Sequence, residues 1–220
     1  MLHPKYPPTP QNQIWLPKGE WLEKHQILIN KTIKYKDSKV IFLGDSITEA
    51  WLYEGKVYWN KEFTKYKPLN LGIGGDEIQH LHWRLLNGEG DNTNPNVVVV
   101  LIGTNNIGNA GHSGEITIEL YSGLLDHIKT KWPRAHILVH TIFPRDRSPH
   151  SPFRIEIETV NEALRSWSKE GKFYLLDLYE EFMELDGKIS DKIMPDFLHL
   201  SKLGYEKWVK NLKPSIEALL

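Results

Sequence analysis

The sequence predicts an α/β fold in which helices cover both faces of a parallel sheet. Five short apolar runs alternate with segments of helical periodicity, and this alternation is typical of parallel strands that are joined by helices. The clearest run, residues 97–102, is largely β-branched, as expected of a strand that is buried on both faces. A length of 220 residues suits one sizeable core and is short for two.

Hydrophobic periodicity assigns the elements in chain order. The apolar runs predict strands at 39–43, 68–71, 97–102, 136–142 and 173–178. A first helix is predicted at 18–33, and apolar side chains spaced by three and four residues predict further helices around 78–86, 116–128, 153–167 and 205–219. The proline-rich stretch 1–17 is predicted to be an N-terminal extension of a single domain that covers residues 18–220.

The composition argues against several classes of function. The formal net charge is -1, which gives no indication of a nucleic-acid or membrane-surface partner. The absence of cysteine excludes disulfides, thiolate catalysis and cysteine zinc sites. The N-terminus has no apolar h-region, and no window of about 18 apolar residues occurs. Neither a signal peptide nor a transmembrane segment is therefore expected, and a cytoplasmic location is predicted.

Polar, glycine-rich turns follow the first three predicted strands. They are Gly44-Asp45-Ser46, Gly72-Ile73-Gly74-Gly75 and Gly103-Thr104-Asn105-Asn106. The carboxyl ends of parallel strands meet at one edge of a sheet, and ligands of such sheets bind at that edge. We therefore expect the three turns to lie together.

Two motifs that are far apart in sequence supply the parts of a nucleophilic hydrolase. Ser46 is the candidate nucleophile, because a serine at a strand-to-helix turn lies near backbone N–H groups that stabilise an oxyanion. His199 is the candidate base, and Asp196 is near enough in sequence to orient the imidazole. Each motif also fits a structural role, Ser46 in a helix N-cap and His199 as a surface histidine beside a loop aspartate.

Gly75 and Asn105 are the candidate oxyanion donors. Ester hydrolysis passes through a tetrahedral intermediate whose oxygen needs preorganised donors. The backbone N–H groups of Gly75 and Ser46 and the side-chain amide of Asn105 would serve. Glycine permits close approach of the backbone to a ligand, although glycine and asparagine also favour turns for structural reasons alone.

The sequence does not match two other functional motifs. The Gly-x-Ser-x-Gly elbow of α/β-hydrolases is absent, because the sequence around Ser46 is Gly-Asp-Ser-Ile-Thr. The turn at 72–74 is similar to a dinucleotide-binding loop, but Glu77 stands where a third glycine or alanine is needed. A flavodoxin-like binder of nucleotide or flavin is an alternative that depends on architecture and this turn alone.

The four motifs, in this order, resemble the blocks of the SGNH (GDSL) hydrolase superfamily, which centre on Ser, Gly, Asn and His. The matching residues are Ser46, Gly75, Asn105 and His199. The stretches 70–76, 83–89, 99–106 and 198–205 are similar to one branch, the platelet-activating factor acetylhydrolase catalytic subunits and their microbial relatives. The resemblance covers the chain from about residue 20 onwards.

This resemblance implies a three-layer α/β/α sandwich with a five-stranded parallel sheet, similar to flavodoxin. It implies a Ser46–His199–Asp196 triad, an oxyanion hole from Ser46, Gly75 and Asn105, and an acyl pocket at Ile47, Thr104 and Leu198. The alternative is that Ile47 and Leu198 pack in the core.

The function that the resemblance implies is that of a serine acetylesterase. Its substrate is expected to be a small acetylated molecule, either a carbohydrate or a platelet-activating-factor-like ester, and no metal or organic cofactor is implied. Animal members form dimers, so a homodimer is consistent with the resemblance. The alternative is a non-catalytic module of the same fold that binds carbohydrate or protein.

Overall fold

The computed structural model describes residues 3–220 and confirms the α/β fold, with a five-stranded parallel sheet between two layers of helices. The strands are β1 (Val40–Gly44), β2 (Leu69–Gly72), β3 (Val97–Leu101), β4 (His136–His140) and β5 (Tyr174–Leu176). The α-helices are α1 (Lys18–Lys34), α2 (Ser46–Glu49), α3 (Lys56–Tyr58), α4 (Ile78–Leu86), α5 (Thr104–Gly108), α6 (Gly114–Lys131), α7 (Pro152–Lys169) and α8 (Lys202–Glu217). None of the helices within residues 3–220 combines the length and apolar character that a bilayer span requires.

The strand order β2-β1-β3-β4-β5 puts β1 between β2 and β3. Gly44, at the end of β1, pairs with Gly72 on one side and with Leu101 on the other. The carboxyl ends of these three strands are therefore level, and the turns that follow them leave the sheet along one edge, called here the carboxyl edge. The connections change direction between β1 and β3, and such switch points are where open α/β sheets bind ligands.

Each face of the sheet is covered by its own apolar core. Ile41 and Leu43 face the core formed with α1, α4, α6 and α7. Val40 and Phe42 face the core formed with α8 and the segment after β1. Successive side chains of a strand point to opposite faces, so burial on both faces explains the uninterrupted apolar runs in the sequence.

The segment 46–66 contains helical turns that periodicity did not predict. It forms α2, α3, two 3₁₀ turns and a π-helical turn at Trp59–Phe63. Its large aromatic side chains, Trp51, Trp59 and Phe63, are buried, and the ring centroid of Trp59 lies 4.8 Å from that of Phe42. Burial of scattered aromatic residues stabilises this segment, so no repeat of 3.6 residues appears in its sequence.

Two predicted strands are shorter than their apolar runs. The run 136–142 pairs as β4 only to His140, and the run 173–178 pairs as β5 only over Tyr174–Leu176. Ile142 and Leu178 are nevertheless buried. An apolar run reflects burial as well as strand pairing: Ile142 is buried beyond the last paired residue of β4, and Leu178 is buried although β5 itself is only partly covered.

Residues 3–17 pack across the ends of α4 and α6. Tyr6 contacts the ring of His112 with centroids 4.4 Å apart, and Thr9 N donates to Gln79 O at 3.4 Å. Gln13 and Leu16 exchange backbone hydrogen bonds of 3.1 and 3.2 Å around a two-residue turn, and the Leu16 side chain is buried. The first two residues of the predicted extension lie outside the described residues.

Candidate active site

Ser46 is the first residue of α2, immediately after β1. Asp45 caps this short helix, since its Oδ1 accepts a hydrogen bond from Ile47 N at 2.9 Å. Burial raises the pKa of the Asp45 carboxyl to about 6, although the Ile47 N–H and the nearby His199 oppose the shift. The predicted capping role therefore belongs to Asp45, which leaves the Ser46 hydroxyl free for another partner.

That partner is His199, 153 positions away in the sequence. Ser46 Oγ lies 2.9 Å from His199 Nε2, and His199 Nδ1 lies 2.6 Å from Asp196 Oδ2. An ionised Asp196 places the proton on Nδ1, so that Nε2 can accept the hydroxyl proton. The structure thus brings the three predicted residues into one hydrogen-bonded chain from hydroxyl to imidazole to carboxylate.

The loop before α8 holds Asp196 and His199 in this arrangement. Asp196 Oδ1 accepts hydrogen bonds from the backbone N–H of His199 at 2.7 Å and of Leu198 at 3.1 Å. Burial alone would raise the pKa of Asp196, but the hydrogen bonds from the His199 side chain and backbone outweigh it and lower the pKa. Asp146 N also donates to Phe197 O at 2.8 Å. The carboxylate therefore stays ionised while it orients the imidazole.

Gly75 lies in the turn 72–76 that follows β2, called here the oxyanion turn. Its φ of 76° is in the left-handed region that favours glycine. A Cβ atom added to the preceding Gly74 would lie 3.8 Å from Ser46 Cβ, so the turn runs beside the candidate nucleophile. Gly74 N donates to Glu49 Oε2 at 2.7 Å, which fixes the turn to α2.

Asn105 lies in the first turn of α5, directly after β3. Its Nδ2 donates to Asp76 O at 3.0 Å, and its Oδ1 accepts from Asn109 Nδ2 at 3.2 Å. An amide nitrogen carries two N–H groups, so Asn105 is oriented by one bond and retains a second donor. The carbonyl that holds it belongs to the oxyanion turn, and the two predicted donors are thereby linked.

Asn106 has a structural role that the sequence did not reveal. Its Oδ1 accepts from Ile78 N at 2.9 Å, and its Nδ2 donates to Gln79 Oε1 at 2.9 Å. It therefore caps the beginning of α4 and fixes α5 to that helix. Asn106 therefore holds two helices together, and its side-chain amide is occupied by α4.

The three residues predicted for the acyl pocket differ in exposure. Ile47 and Thr104 are buried, whereas Leu198 is half-buried. Ile47 is part of the apolar core beneath α8, as the core-packing alternative predicted. Thr104 O accepts a hydrogen bond of 2.9 Å from Arg145, a residue at the carboxyl edge that the sequence analysis did not identify.

Two residues of the N-terminal segment lie against Gly75. A Cβ at Gly75 would fall 2.0 Å from Trp15 Cη2 and 3.2 Å from Gln11 Nε2. Trp15 is 58% exposed, whereas Gln11 is fully buried, and neither polar atom of its side chain has a hydrogen-bond partner among the described residues. The proline-rich stretch thus forms part of the wall around the oxyanion turn.

No group of three His, Asp or Glu side chains within residues 3–220 is arranged to hold a metal ion. His80 and His82, which are close in sequence, are engaged separately. His80 Nδ1 accepts from Glu77 N at 3.0 Å, and the ring of His82 packs 5.1 Å from that of His127. Burial lowers the pKa of both histidines, to about 3 for His80 and about 4 for His82.

Known proteins share both the sequence pattern and the architecture. The model of the GDSL-like Lipase/Acylhydrolase family matches residues 42–207. Platelet-activating factor acetylhydrolase IB subunit alpha2 from Mus musculus is 38% identical over 201 residues, which cover 91% of this chain and 85% of that protein. Subunit alpha1 from Homo sapiens is 34% identical over 204 residues, which cover 92% and 85%.

Solved structures share the fold at lower identity. A GDSL-like lipase from Bacteroides thetaiotaomicron has a TM-score of 0.75 at 18% identity and covers 89% of this chain and 98% of its own. An acetyl xylan esterase has a TM-score of 0.68 at 22% identity and covers 80% and 98%.

Proposed function

We propose, from the premise that this chain belongs to the GDSL-like lipase/acylhydrolase family and is an esterase, that it hydrolyses short-chain acyl esters through an acetyl-enzyme on Ser46. The observation that supports this most directly is the 2.9 Å contact between Ser46 Oγ and His199 Nε2. A base at this distance can take the hydroxyl proton as the oxygen attacks.

In the proposed acylation step, Ser46 Oγ attacks the ester carbonyl carbon while its proton passes to His199 Nε2. The carbonyl oxygen becomes an oxyanion that accepts hydrogen bonds from the N–H groups of Ser46 and Gly75 and from Asn105. Asp196 stabilises the imidazolium that forms. His199 then gives its proton to the leaving alkoxide, the C–O bond to the alcohol breaks, and acetate remains esterified to Ser46.

Deacylation uses the same groups with water as the nucleophile. His199 Nε2 takes a proton from water as its oxygen attacks the acetyl carbon, and the same donors hold the second oxyanion. Collapse of this intermediate breaks the bond to Ser46 Oγ, which recovers its proton from His199, and releases acetate. No cofactor enters either step.

The acyl group is proposed to be acetyl because the residues beside the nucleophile are bulky. Thr104 precedes Asn105, and Leu198 precedes His199, whereas Ile47 packs in the core beneath α8. Side chains of this size next to the reacting atoms leave room for a small acyl group. The alcohol is proposed to be a carbohydrate or a platelet-activating-factor-like lipid, in keeping with relatives named acetyl xylan esterase and platelet-activating factor acetylhydrolase.

The proposal is tested by acetate release from p-nitrophenyl acetate, acetylated xylo-oligosaccharides and acetylated short-chain phospholipids at pH 7–8. We expect activity in the parent protein and loss of nearly all of it in Ser46→Ala, because the nucleophile is removed. Ser122→Ala, an exposed serine on α6, is the matched control and should keep full activity. Full activity of Ser46→Ala, or no hydrolysis of any ester by the parent protein, would refute the proposal.

A non-catalytic binding module is the second candidate, because the fold alone does not require catalysis. An organophosphate separates the two functions: a serine that is activated by His199 is phosphorylated covalently, whereas a binding module does not react. Mass spectrometry of the peptide that contains Ser46 measures the outcome. The homodimer and the cytoplasmic location stay predictions, and light scattering measures the first.

A further inference from the structure

A cluster of charged side chains is buried beneath the oxyanion turn. The side chains of Asp76, Arg84 and Glu89 are completely inaccessible to solvent. Arg84 Nε donates to Asp76 Oδ2 at 2.7 Å, and its Nη1 donates to Glu89 Oε2. Arg84 thus lies between two carboxylates, and the pKa of the guanidinium is raised by Glu89 and Asp76 despite burial, which opposes its charge. The arginine is a permanent cation in the interior.

Helix α1 closes the cluster from the other side. Trp21 Nε1 donates to Asp76 Oδ1 at 2.7 Å, and His25 Nδ1 lies 2.7 Å from Glu89 Oε1. Both oxygens of both carboxylates therefore have partners. Asp76 in particular is held by hydrogen bonds on its two sides, which leaves its side chain little freedom to move.

Arg84 also binds the ends of two strands. Its Nη1 donates to Leu71 O at 2.9 Å, at the end of β2, and its Nη2 donates to Gly44 O at 3.3 Å, at the end of β1. Ser46 follows Gly44 by two residues, and the oxyanion turn follows Leu71 directly. One planar guanidinium therefore sets the spacing between the turn of the nucleophile and the turn of Gly75.

The third donor is connected through Asp76. The carboxylate of Asp76 binds Arg84, while its backbone carbonyl accepts the 3.0 Å hydrogen bond from Asn105 Nδ2. Asp76 is also the residue after Gly75. Gly75 and Asn105 are thus one peptide bond and one hydrogen bond away from Asp76, and Ser46 lies two residues beyond Gly44. Each proposed oxyanion donor therefore lies close to a group that Arg84 binds.

Stability alone does not account for this arrangement. Well-packed apolar residues often replace a buried ion cluster at no loss of stability, because the charges must be stripped of water. A guanidinium offers what an apolar side chain lacks, five N–H donors in one rigid plane. An oxyanion hole depends on donors that are fixed before the reaction begins, and this plane fixes the elements that carry them.

We propose that Arg84 is a positioning residue that sets the relative placement of the Ser46, Gly75 and Asn105 donors through its bonds to Gly44, Leu71 and Asp76. This inference rests on the proposed esterase function. Arg84 does not touch the substrate, and it acts through the two strand ends and the oxyanion turn.

The first test is Arg84→Lys, which keeps the positive charge between Asp76 and Glu89 but cannot span all four acceptors. We expect kcat for p-nitrophenyl acetate to fall by about 10- to 100-fold with little change in KM, since a displacement of about 1 Å in a catalytic group costs up to about 100-fold. Leu124→Ala, a fully buried change on α6, is the control: it lowers Tm through a cavity and should leave kcat close to that of the parent.

A double-mutant cycle with Asn105→Ala separates positioning from general destabilisation. If Arg84 acts through the oxyanion hole, Arg84→Lys should cost much less in the Asn105→Ala background than in the parent, because one donor that it places is already gone. Leu124→Ala should have the same effect in both backgrounds. Equal effects of Arg84→Lys in the two backgrounds would overturn the proposal.

Amide hydrogen exchange provides a readout that does not depend on the ester. Exchange in peptides that cover residues 44–49 and 72–77 should be faster in Arg84→Lys than in the parent and unchanged in Leu124→Ala, apart from the region around the cavity. If the parent protein hydrolyses no ester while exchange is still faster in Arg84→Lys, that result would refute the proposed esterase function but support the role of Arg84 in fixing the two turns. Unchanged exchange in both peptides would refute the claim that Arg84 holds the two turns in place. If Arg84→Lys does not fold, Asp76→Asn is used instead, because it weakens the Arg84–Asp76 ion pair with less change in side-chain shape. The same outcomes support or refute the proposal for that variant.

Discussion

The contact between Trp15 and Gly75 makes a sharp prediction about the substitution Gly75→Ala. The new Cβ would lie 2.0 Å from Trp15 Cη2 and 2.4 Å from Cζ2, which no packed structure tolerates. Trp15 lies on an exposed two-residue turn, whereas the oxyanion turn is held by the Gly74–Glu49 hydrogen bond. The indole should therefore move and lose its contacts.

The cost of this movement can be worked from the burial of Trp15. The side chain is 58% exposed, so about 42% of a surface of roughly 200 Å² is covered, which corresponds to roughly 2 kcal/mol at 25 cal/mol per Å². Alanine at a φ of 76° adds about 1–2 kcal/mol. We expect Gly75→Ala to lower the free energy of unfolding by about 3–4 kcal/mol.

Gly171→Ala is a close control. Gly171 has a φ of 78°, and a Cβ there meets nothing within 4 Å, so this variant should show only the backbone cost of about 1–2 kcal/mol. Urea denaturation measures the free energy of unfolding of four variants: Gly171→Ala, Gly75→Ala, Trp15→Ala and the double variant Gly75→Ala/Trp15→Ala. Their differences separate the backbone cost from the cost of displacing Trp15. The loss of unfolding free energy in the double variant should be smaller than the summed losses of the two single variants, by roughly 2 kcal/mol. Strict additivity would show that Trp15 does not pack on Gly75.

Three further outcomes are expected. Asp196→Asn should lower kcat for p-nitrophenyl acetate by on the order of 10³- to 10⁴-fold, because the imidazole loses the carboxylate that orients it; a loss below tenfold would contradict this role. Asn105→Ala should lower kcat by about 10²- to 10³-fold with little effect on binding of a product alcohol, whereas an effect on KM alone would argue against an oxyanion donor. Burial raises the pKa of Asp45 to about 6, above its ordinary value of 3.8, so the folded protein binds the carboxyl proton more tightly than the unfolded chain does. This proton binding stabilises the fold at low pH, and the stabilisation is lost as the pH rises from about 4 through 6. Asp45→Asn keeps the oxygen that caps α2 and removes this titration; its stability relative to the parent should therefore rise between pH 4 and pH 7, by up to about 3 kcal/mol, and a difference independent of pH would refute the assignment.

The fold and the candidate site were predictable to the extent that the signals are local. Five apolar runs located the strands because both faces of the sheet are buried. The rule that parallel strands end at one edge then predicts that Ser46, Gly75 and Asn105 lie together. The positions of His199 and Asp196 follow no strand directly, so their assignment to the site depended on the Asp-x-x-His motif as well as on the topology.

The remaining features depend on contacts between distant residues. The proline-rich stretch has no periodicity, so nothing in its sequence indicates that Trp15 covers Gly75. Arg84 lies on a helix where a charged residue normally faces solvent. Its burial follows from partners that lie on β1, on β2, in the oxyanion turn and in the loop after α4. Such partners are fixed only when the sheet and α1 have closed around them.

The path of residues 3–17 has a practical consequence for handling the protein. This segment reaches the oxyanion turn through Gln11 and Trp15, so a protease cut within it is expected to disturb the surroundings of Gly75. Helix α8 begins beside the His199 loop and ends near the amino end of β1, because Tyr66 OH donates to Glu217 Oε1 at 2.6 Å and Lys39 N donates to Tyr66 O at 3.1 Å. A label or surface-coupling group attached to an exposed residue in the last turn of α8 is therefore expected to leave the turns at 44–46 and 72–76 uncovered.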